Sequence, residues 1–258
     1  LKNVCIFAFV TQKKNIMKIF LSLLFIFFLT SASKNYIYPF FKISEKKDNI
    51  TINHINSFPY NKKNGTISII KIKKNFFDYK VVNKSHENYD FYVNSNYFNK
   101  TPVGEVITDG RKIASRKKNG GFFTSNGLTP TFYFGSHPKV KYSSQTHTIG
   151  VIQGNLNFRI FNYRWARYNL PRLIVGEDKS GNIIIVHSNF NGECSIGAIS
   201  KIAQSQGVYN GLIFDGGASI EIGIKSDGVN YHYQQVPDIM RSLGNVPTPW
   251  VFITGSKN

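Results

Sequence analysis

From about Thr66 onward, short apolar runs alternate with glycine, asparagine and aspartate turns, a rhythm that predicts a strand-rich domain. Ile67, Ile69 or Ile70, and Ile72 mark a first strand within Thr66–Lys73. Asp109-Gly110 predicts a hairpin between Glu105–Thr108 and Arg111–Ile113. Asn126-Gly127 marks a turn ahead of Thr131–Phe134, and Gly181-Asn182 another between Arg172–Val175 and Ile183–Val186. Two segments carry helical signals instead. Ser195 is placed to cap a helix from Ile196 to Gln206, with Ile199, Ile202 and Ala203 on one face and Gly207 as the stop. Pro237 opens a second, Asp238–Leu243, closed by Gly244. The order strand 183–187, helix 196–206, strand 211–214 predicts a βαβ unit with parallel neighbours and a right-handed crossover. The expected fold class is therefore α/β (mixed α+β): a strand-rich domain with a mixed sheet, a βαβ unit and a few helices.

The stretch Gly211–Ile224 stands at the centre of this pattern. Leu212, Ile213 and Phe214 read as a buried strand, and Ile220, Ile222 and Ile224 alternate with Ser219, Glu221 and Gly223 in a second. Between them, Gly216 and Gly217 permit backbone angles and close approaches that a Cβ forbids. Asp215 is thus expected at the end of a buried strand, beside bare backbone, with the Ser219 hydroxyl near it. Two readings stay open on this stretch alone: a functional site, or an ordinary Asp-Gly turn.

The N-terminus changes the picture of where the domain works. Met17-Lys18 leads into the apolar run Ile19–Leu29, followed by the small residues Ser31-Ala32-Ser33, as in a signal peptide. The chain begins with Leu1, so Met17 is a second candidate start. Export to the periplasm or the exterior is expected, with an uncleaved anchor as the alternative. The expected divisions are 1–33 for the extension and signal peptide, 34–65 for a tether or loose first layer, and 66–258 for the folded domain.

Charge and cysteines narrow the classes further. The net charge is +18, and cleavage after Ser33 takes away four lysines and no acid, leaving +14. The lysines form no single block and no nucleic-acid reading motif is present, so no specific nucleic acid is expected. An anionic cell-surface polymer remains a candidate partner. Cleavage also removes Cys5, so Cys194 has no internal disulfide partner and is expected to be a small buried thiol. The six histidines, at 54, 86, 137, 147, 187 and 232, lack metal-ligand spacing, and neither a metal nor a cofactor is implied.

Four segments in order carry a resemblance: Val93–Phe98 with Pro102-Val-Gly104 and Asp109-Gly110; Pro171–Gly176 before the Gly181 turn; the capped helix 196–206; and Gly211–Ser219. Together, over roughly Lys71–Thr254, they resemble the phosphodiester glycosidase family. Its known members include the lysosomal uncovering enzymes, which remove N-acetylglucosamine from a phosphodiester, and exported bacterial proteins. The resemblance places Asn94 and Phe98 on the family's Asn-Gly-x-Phe-Phe-like segment, and Arg172 and Gly176 on its Pro-Arg-Thr-Ala-x-Gly-like segment. It places Asp215, Gly216, Gly217 and Ser219 on its Asp-Gly-Gly-Gly-Ser motif. Ala218 replaces the third glycine, Ser95 stands where a glycine is usual, and Gln153-Gly-Asn155 departs from the family's Gln-Ser-Gly-Pro.

The resemblance implies an exported hydrolase acting on a phosphate-linked glycan or sugar-nucleotide-like substrate. The alternative is a non-catalytic module that holds an anionic glycan. In the catalytic reading Asp215 serves as base, nucleophile or cation stabiliser. Arg172 anchors phosphate with its planar fork. The Gly216 and Gly217 amides add a nest for the anion, and Ser219 and Asn94 orient sugar or phosphate. Glu177, Asp178, Glu193 and Glu221 are the candidates for a second carboxylate. Arg172 paired with a surface acid, and Asn94 as a turn former, are the alternatives. His187 is expected either at the substrate or in the core. The cluster Tyr163–Tyr168, with Arg164 and Trp165, is expected either as a substrate-binding loop or as an aromatic hairpin packed on the core.

Overall fold

The computed structural model describes residues 48–56, 66–83, 88–95, 98–99, 101–102, 104–115, 120–127, 130–134, 143, 145–151, 167–189, 192–236 and 251–257. The signal-like run, the loop Gln153–Asn155, Arg164 and Trp165, and the helix expected at 238–243 lie outside the described residues.

A five-stranded sheet carries the site. Its members are β1 (Ile50–Asn56), β2 (Thr66–Ile72), β12 (Leu173–Glu177), β13 (Ile183–Ser188) and β14 (Asn210–Phe214), in the order β1-β2-β13-β12-β14. Both faces of this sheet are covered at its centre, which explains the near-continuous apolar runs of β12, β13 and β14. Ile67, Ile69, Ile174, Ile184, Val186 and Ile213 pack with one helix, α1 (Ile196–Ser205). The alternate residues Ile70, Ile72, Leu173, Val175, Ile183, Ile185, Leu212 and Phe214 join the larger core on the other side. Strand β1 falls inside the stretch read as a tether, and it extends the folded domain back to Ile50.

The larger core is closed by two further sheets. One holds β7 (Val106–Thr108), β8 (Arg111–Ala114), β9 (Gly121–Ser125), β10 (Thr131–Phe134) and β11 (His147–Val151). The other holds β3 (Phe77–Asn83), β4 (Phe91–Asn94), β15 (Glu221–Ser226), β16 (Val229–Gln234) and β17 (Val251–Lys257). Between β4 and β7, β5 (Phe98–Asn99) pairs with β6 (Thr101–Pro102). The Asp109-Gly110 hairpin forms as expected, with both residues at positive φ, 48° and 72°. The Gly181 turn likewise joins β12 to β13, with Gly181 at φ 82°.

The helix follows its sequence signals closely. The Ser195 side chain accepts from the Ala198 amide, and Gly207 at φ 95° ends the last turn. Val208 N–H donates to Ala203 and Gly207 N–H to Gln204, the paired bonds of a Schellman stop.

Two expectations are corrected. Every strand pairing among the described residues is antiparallel, so the sheet is not mixed. Strands β13 and β14 do run in the same direction, but β12 lies between them and opposes both. The physical reason is loop closure: the short Gly181 turn lets β12 pair with β13 at little entropic cost, which leaves β14 the far edge of β12. With a single α-helix among the described residues, the domain is strand-rich as expected but mainly β rather than α/β.

The register defines one rim. Leu173 faces both His187 and Phe214, so Arg172, Ser188 and Asp215 all leave the sheet at the same end. Glu177 pairs with Asn210 at the opposite end.

Candidate active site

Asp215 follows directly on β14, and its backbone is fixed from a distant part of the chain. Its N–H donates to the Ser95 carbonyl at 2.7 Å. Its own carbonyl accepts from Asn94 Nδ2 at 2.9 Å. The other end of the Asn94 amide, Oδ1, accepts from the Glu221 N–H at 2.9 Å. Ser95 is tied in turn to Val251, through both its N–H and its hydroxyl. One buried asparagine therefore clamps the start and end of the 215–221 segment onto β4.

The two glycines have separate reasons. A Cβ on Gly216 would lie 2.5 Å from the Pro171 carbonyl oxygen and 3.3 Å from Arg172 Cα, so only glycine lets the turn rest on that strand. Gly217 sits at φ +61° in a short 3-10 turn, Gly217–Ser219, and its N–H donates to the Pro171 carbonyl at 2.8 Å.

This frame presents the Asp215 carboxyl among few polar groups. Burial pushes its pKa up to about 7, against the lowering effect of hydrogen bonds from the Ser219 hydroxyl and the Gly216 N–H. The group is therefore poised to exchange a proton near neutral pH, as a general acid or base must be.

The other expected residues divide into those near this carboxyl and those serving it from behind. Ser219 reaches it directly. Asn94 is fully buried and has both ends of its amide on backbone, so it holds the Asp215 turn rather than meeting a sugar. Arg172 is 3% exposed; its Nε donates to the Cys194 carbonyl at 3.1 Å and its Nη2 to the Tyr168 carbonyl at 2.7 Å. These two bonds make Arg172 a brace that ties 168–172 to Cys194. The Gly216 and Gly217 amides are also engaged, on the Asp215 carboxyl and Pro171, so the expected nest does not form. In each case the reason is the same: a buried donor must find an acceptor, and the nearest ones are main-chain or carboxyl oxygens.

His187, expected at the substrate or in the core, lies in the core. It is 1% exposed, with Nε2 2.6 Å from the Tyr231 hydroxyl and its ring 4.2 Å from that of Tyr233. Burial, with a smaller effect of nearby His54, lowers its pKa to about 3, so it stays neutral. Cys194 is the buried free thiol expected of it, pushed up to about 11 by burial. Among the candidate second carboxylates, Glu177 and Asp178 are at the wrong end of the sheet, bound to Asn210 and to Lys71 and Asn182. Glu221 is buried behind Asn94. Sequence reasoning missed Pro171, whose carbonyl seats the turn, and the role of the Ser95 backbone; a main-chain carbonyl leaves no signal in residue type.

Comparison with known proteins places the fold and the family. The phosphodiester glycosidase family model matches residues 81–247. The fold is similar to that of the catalytic domain of zebrafish N-acetylglucosamine-1-phosphodiester alpha-N-acetylglucosaminidase, at TM-score 0.60 and 13% identity over 85% of this chain and 88% of that one. It is also similar to a hypothetical protein from Synechocystis, at TM-score 0.55 and 12% identity over 86% and 64% of the two chains. A Burkholderia pseudomallei protein provisionally described as exported matches at TM-score 0.50 and 9% identity over 75% and 74%. No curated protein matches the sequence. With the family match spanning most of the chain and including the Asp215-Gly216-Gly217 turn, the chain belongs to the phosphodiester glycosidase family.

Proposed function

We propose that this protein hydrolyses the glycosidic bond of a sugar phosphodiester, with Asp215 as the proton-handling group. The observation that supports this most is the Asp215 carboxyl itself, fixed by its backbone to Asn94 and Ser95 and raised to about 7 by burial. In the proposed reaction the ionised carboxylate takes a proton from water as the water oxygen bonds to the anomeric carbon. The bond from that carbon to the phosphate oxygen breaks, and its electron pair leaves with the phosphate. A phosphate monoester is a good leaving group, so one proton-handling carboxyl is sufficient for this step. Ser219 orients the carboxylate, while Asn94 and Arg172 hold the surrounding backbone in place. The zebrafish relative's name specifies an N-acetylglucosamine phosphodiester, which makes that sugar the first to test. Export is part of the proposal, supported by the run Ile19–Leu29 and the small residues after it.

The test incubates the protein with UDP-sugars and with chromogenic sugar phosphodiesters, comparing wild type with Asp215→Asn. Free sugar released by wild type alone is the expected result. Release of a sugar phosphate would mean that the P–O bond breaks, and would overturn the reaction type. No release from any substrate, with ligand held equally by both proteins, would favour the binding module instead.

A further inference from the structure

We propose that Tyr168, with Leu170 beside it, is the platform on which the substrate's sugar ring stacks at the edge of the Asp215 turn. The assignment rests on the glycosyl-phosphodiester reading for its choice of ligand. Among the described residues four large hydrophobic side chains are exposed: Ile113, Tyr168, Leu170 and Tyr209. Scattered singly, such residues are ordinary on a protein surface. Ile113 lies on β8, and Tyr209 lies at the far end of the sheet, where its N–H donates to Glu177. Tyr168 and Leu170, 47% and 38% exposed, are different because they share one short segment at the rim that carries Asp215.

That segment is also braced more firmly than an idle surface loop requires. The Tyr168 carbonyl accepts from the buried Arg172 guanidinium at 2.7 Å, and the same guanidinium grips the Cys194 carbonyl. Leu170 exchanges both backbone bonds with Cys194, at 3.3 and 3.1 Å. The next residue, Pro171, accepts from Gly217 N–H, so the segment and the Asp215 turn are built on each other. A buried arginine thus orders two apolar side chains that remain open to solvent. Preorganised apolar area beside a reactive carboxyl is what a ligand with an apolar face needs. A pyranose offers such a face in its C–H bonds, and an aromatic ring is flat enough to cover it. The chemical class assigned is therefore a sugar ring, rather than a hydrocarbon tail, next to the scissile phosphate.

The experiment uses the full chain as wild type, Tyr168→Ala, Tyr168→Phe and Leu170→Ala. Binding of N-acetylglucosamine 1-phosphate and of n-hexyl phosphate is measured by ligand-observed NMR, with thermal unfolding as a check on folding. Tyr168→Ala is expected to weaken the sugar phosphate roughly tenfold, while Tyr168→Phe retains it. Unchanged affinity in Tyr168→Ala would overturn the platform, as would equal loss in Tyr168→Phe. Dependence of hexyl phosphate, and not the sugar, on Tyr168 and Leu170 would overturn the sugar assignment, as would failure of the wild type to hold the sugar phosphate. If the wild type binds the sugar phosphate through Tyr168 but cleaves no phosphodiester, the platform stands and the hydrolytic reading falls.

Discussion

Asp215→Asn should make this protein more stable at neutral pH and leave it little changed in acid. The reasoning starts from the carboxyl's pKa, raised by burial from 3.8 to about 7 in the folded chain. In the unfolded chain the group ionises at its ordinary value. Between the two values the folded state holds a proton that the unfolded state has lost. The group therefore imposes no penalty on folding below about pH 4, and a growing one as the pH climbs toward 7. Above that the penalty is constant, because both states are ionised. A full shift of this size corresponds to about 4 kcal/mol, and partial exposure of the residue to solvent reduces that to ~2–4 kcal/mol. An asparagine keeps the size and one accepting oxygen but cannot ionise.

The assay is urea unfolding of wild type and Asp215→Asn at pH 4, 5.5, 7 and 8 and fixed ionic strength. The variant's advantage should widen by roughly 2–4 kcal/mol between the first and last points. A difference that stays flat with pH would refute a raised pKa. A difference of the opposite sign, with the variant weaker at neutral pH, would show that a cation neutralises Asp215 in the folded state.

Four further outcomes follow from the same geometry. Asn94→Ala strands the Asp215 carbonyl and the Glu221 N–H, both on Asn94 at 2.9 Å, and should cost about 2–4 kcal/mol in urea unfolding; a loss well under 1 kcal/mol would contradict the clamp. Gly216→Ala forces a Cβ to within 2.5 Å of a backbone oxygen, whereas Gly217→Ala meets open space and pays only for its positive φ, about 1–2 kcal/mol. The first should therefore be the more damaging in thermal unfolding, and the reverse order would refute the seating on Pro171. Ser219→Ala removes a hydrogen bond that favours the ionised carboxyl, so the midpoint seen in the stability comparison should move to higher pH; a downward move would mean that Ser219 faces elsewhere. Cys194, with its thiol buried and pushed up to about 11, should resist thiol reagents at pH 8 until the protein unfolds, and rapid labelling of the native state would show that segment to be open.

Local chemistry made much of the fold legible. Asp109-Gly110, Gly181 and the Ser195 and Gly207 caps each fix a backbone conformation within a few residues, and each element formed where they place it. Strand order was not legible, because it depends on which edges meet first. The sequence order of β13, α1 and β14 is that of a parallel crossover, yet β12 takes the place between the two strands. The apolar runs Ile183–Val186 and Leu212–Phe214 are satisfied equally well in either arrangement, since both faces of the sheet are covered whichever neighbour is chosen. Nothing in the periodicity of Thr51–Asn56, with polar residues at 53 and 56, distinguishes an edge strand from a tether.

The site shows a sharper limit, and it bears on how the motif works. A motif names a side chain and its spacing, but not which of its polar atoms remain free once the chain is folded. The motif suggests Asn94, Arg172 and the two glycines as groups reaching outward to a substrate, with a turn-forming Asn94 and a paired Arg172 as the alternatives. In the structure donors of all four are turned inward, onto Asp215, Tyr168, Cys194 and Pro171, as buried donors seek acceptors. The two parts of the motif that flank Asp215 are more than a hundred residues apart in sequence, and their contact is visible only in three dimensions. This division explains why such different residue types belong together around one turn. A carboxyl held near pH 7 must be kept from cations and largely out of bulk solvent, while its backbone must not move. Neutral amides and main-chain carbonyls meet both needs, and a guanidinium placed directly on Asp215 would defeat the first by driving its pKa back down. The inward turn of Arg172 is therefore a condition for the chemistry assigned to Asp215, and the pH dependence of stability tests both together.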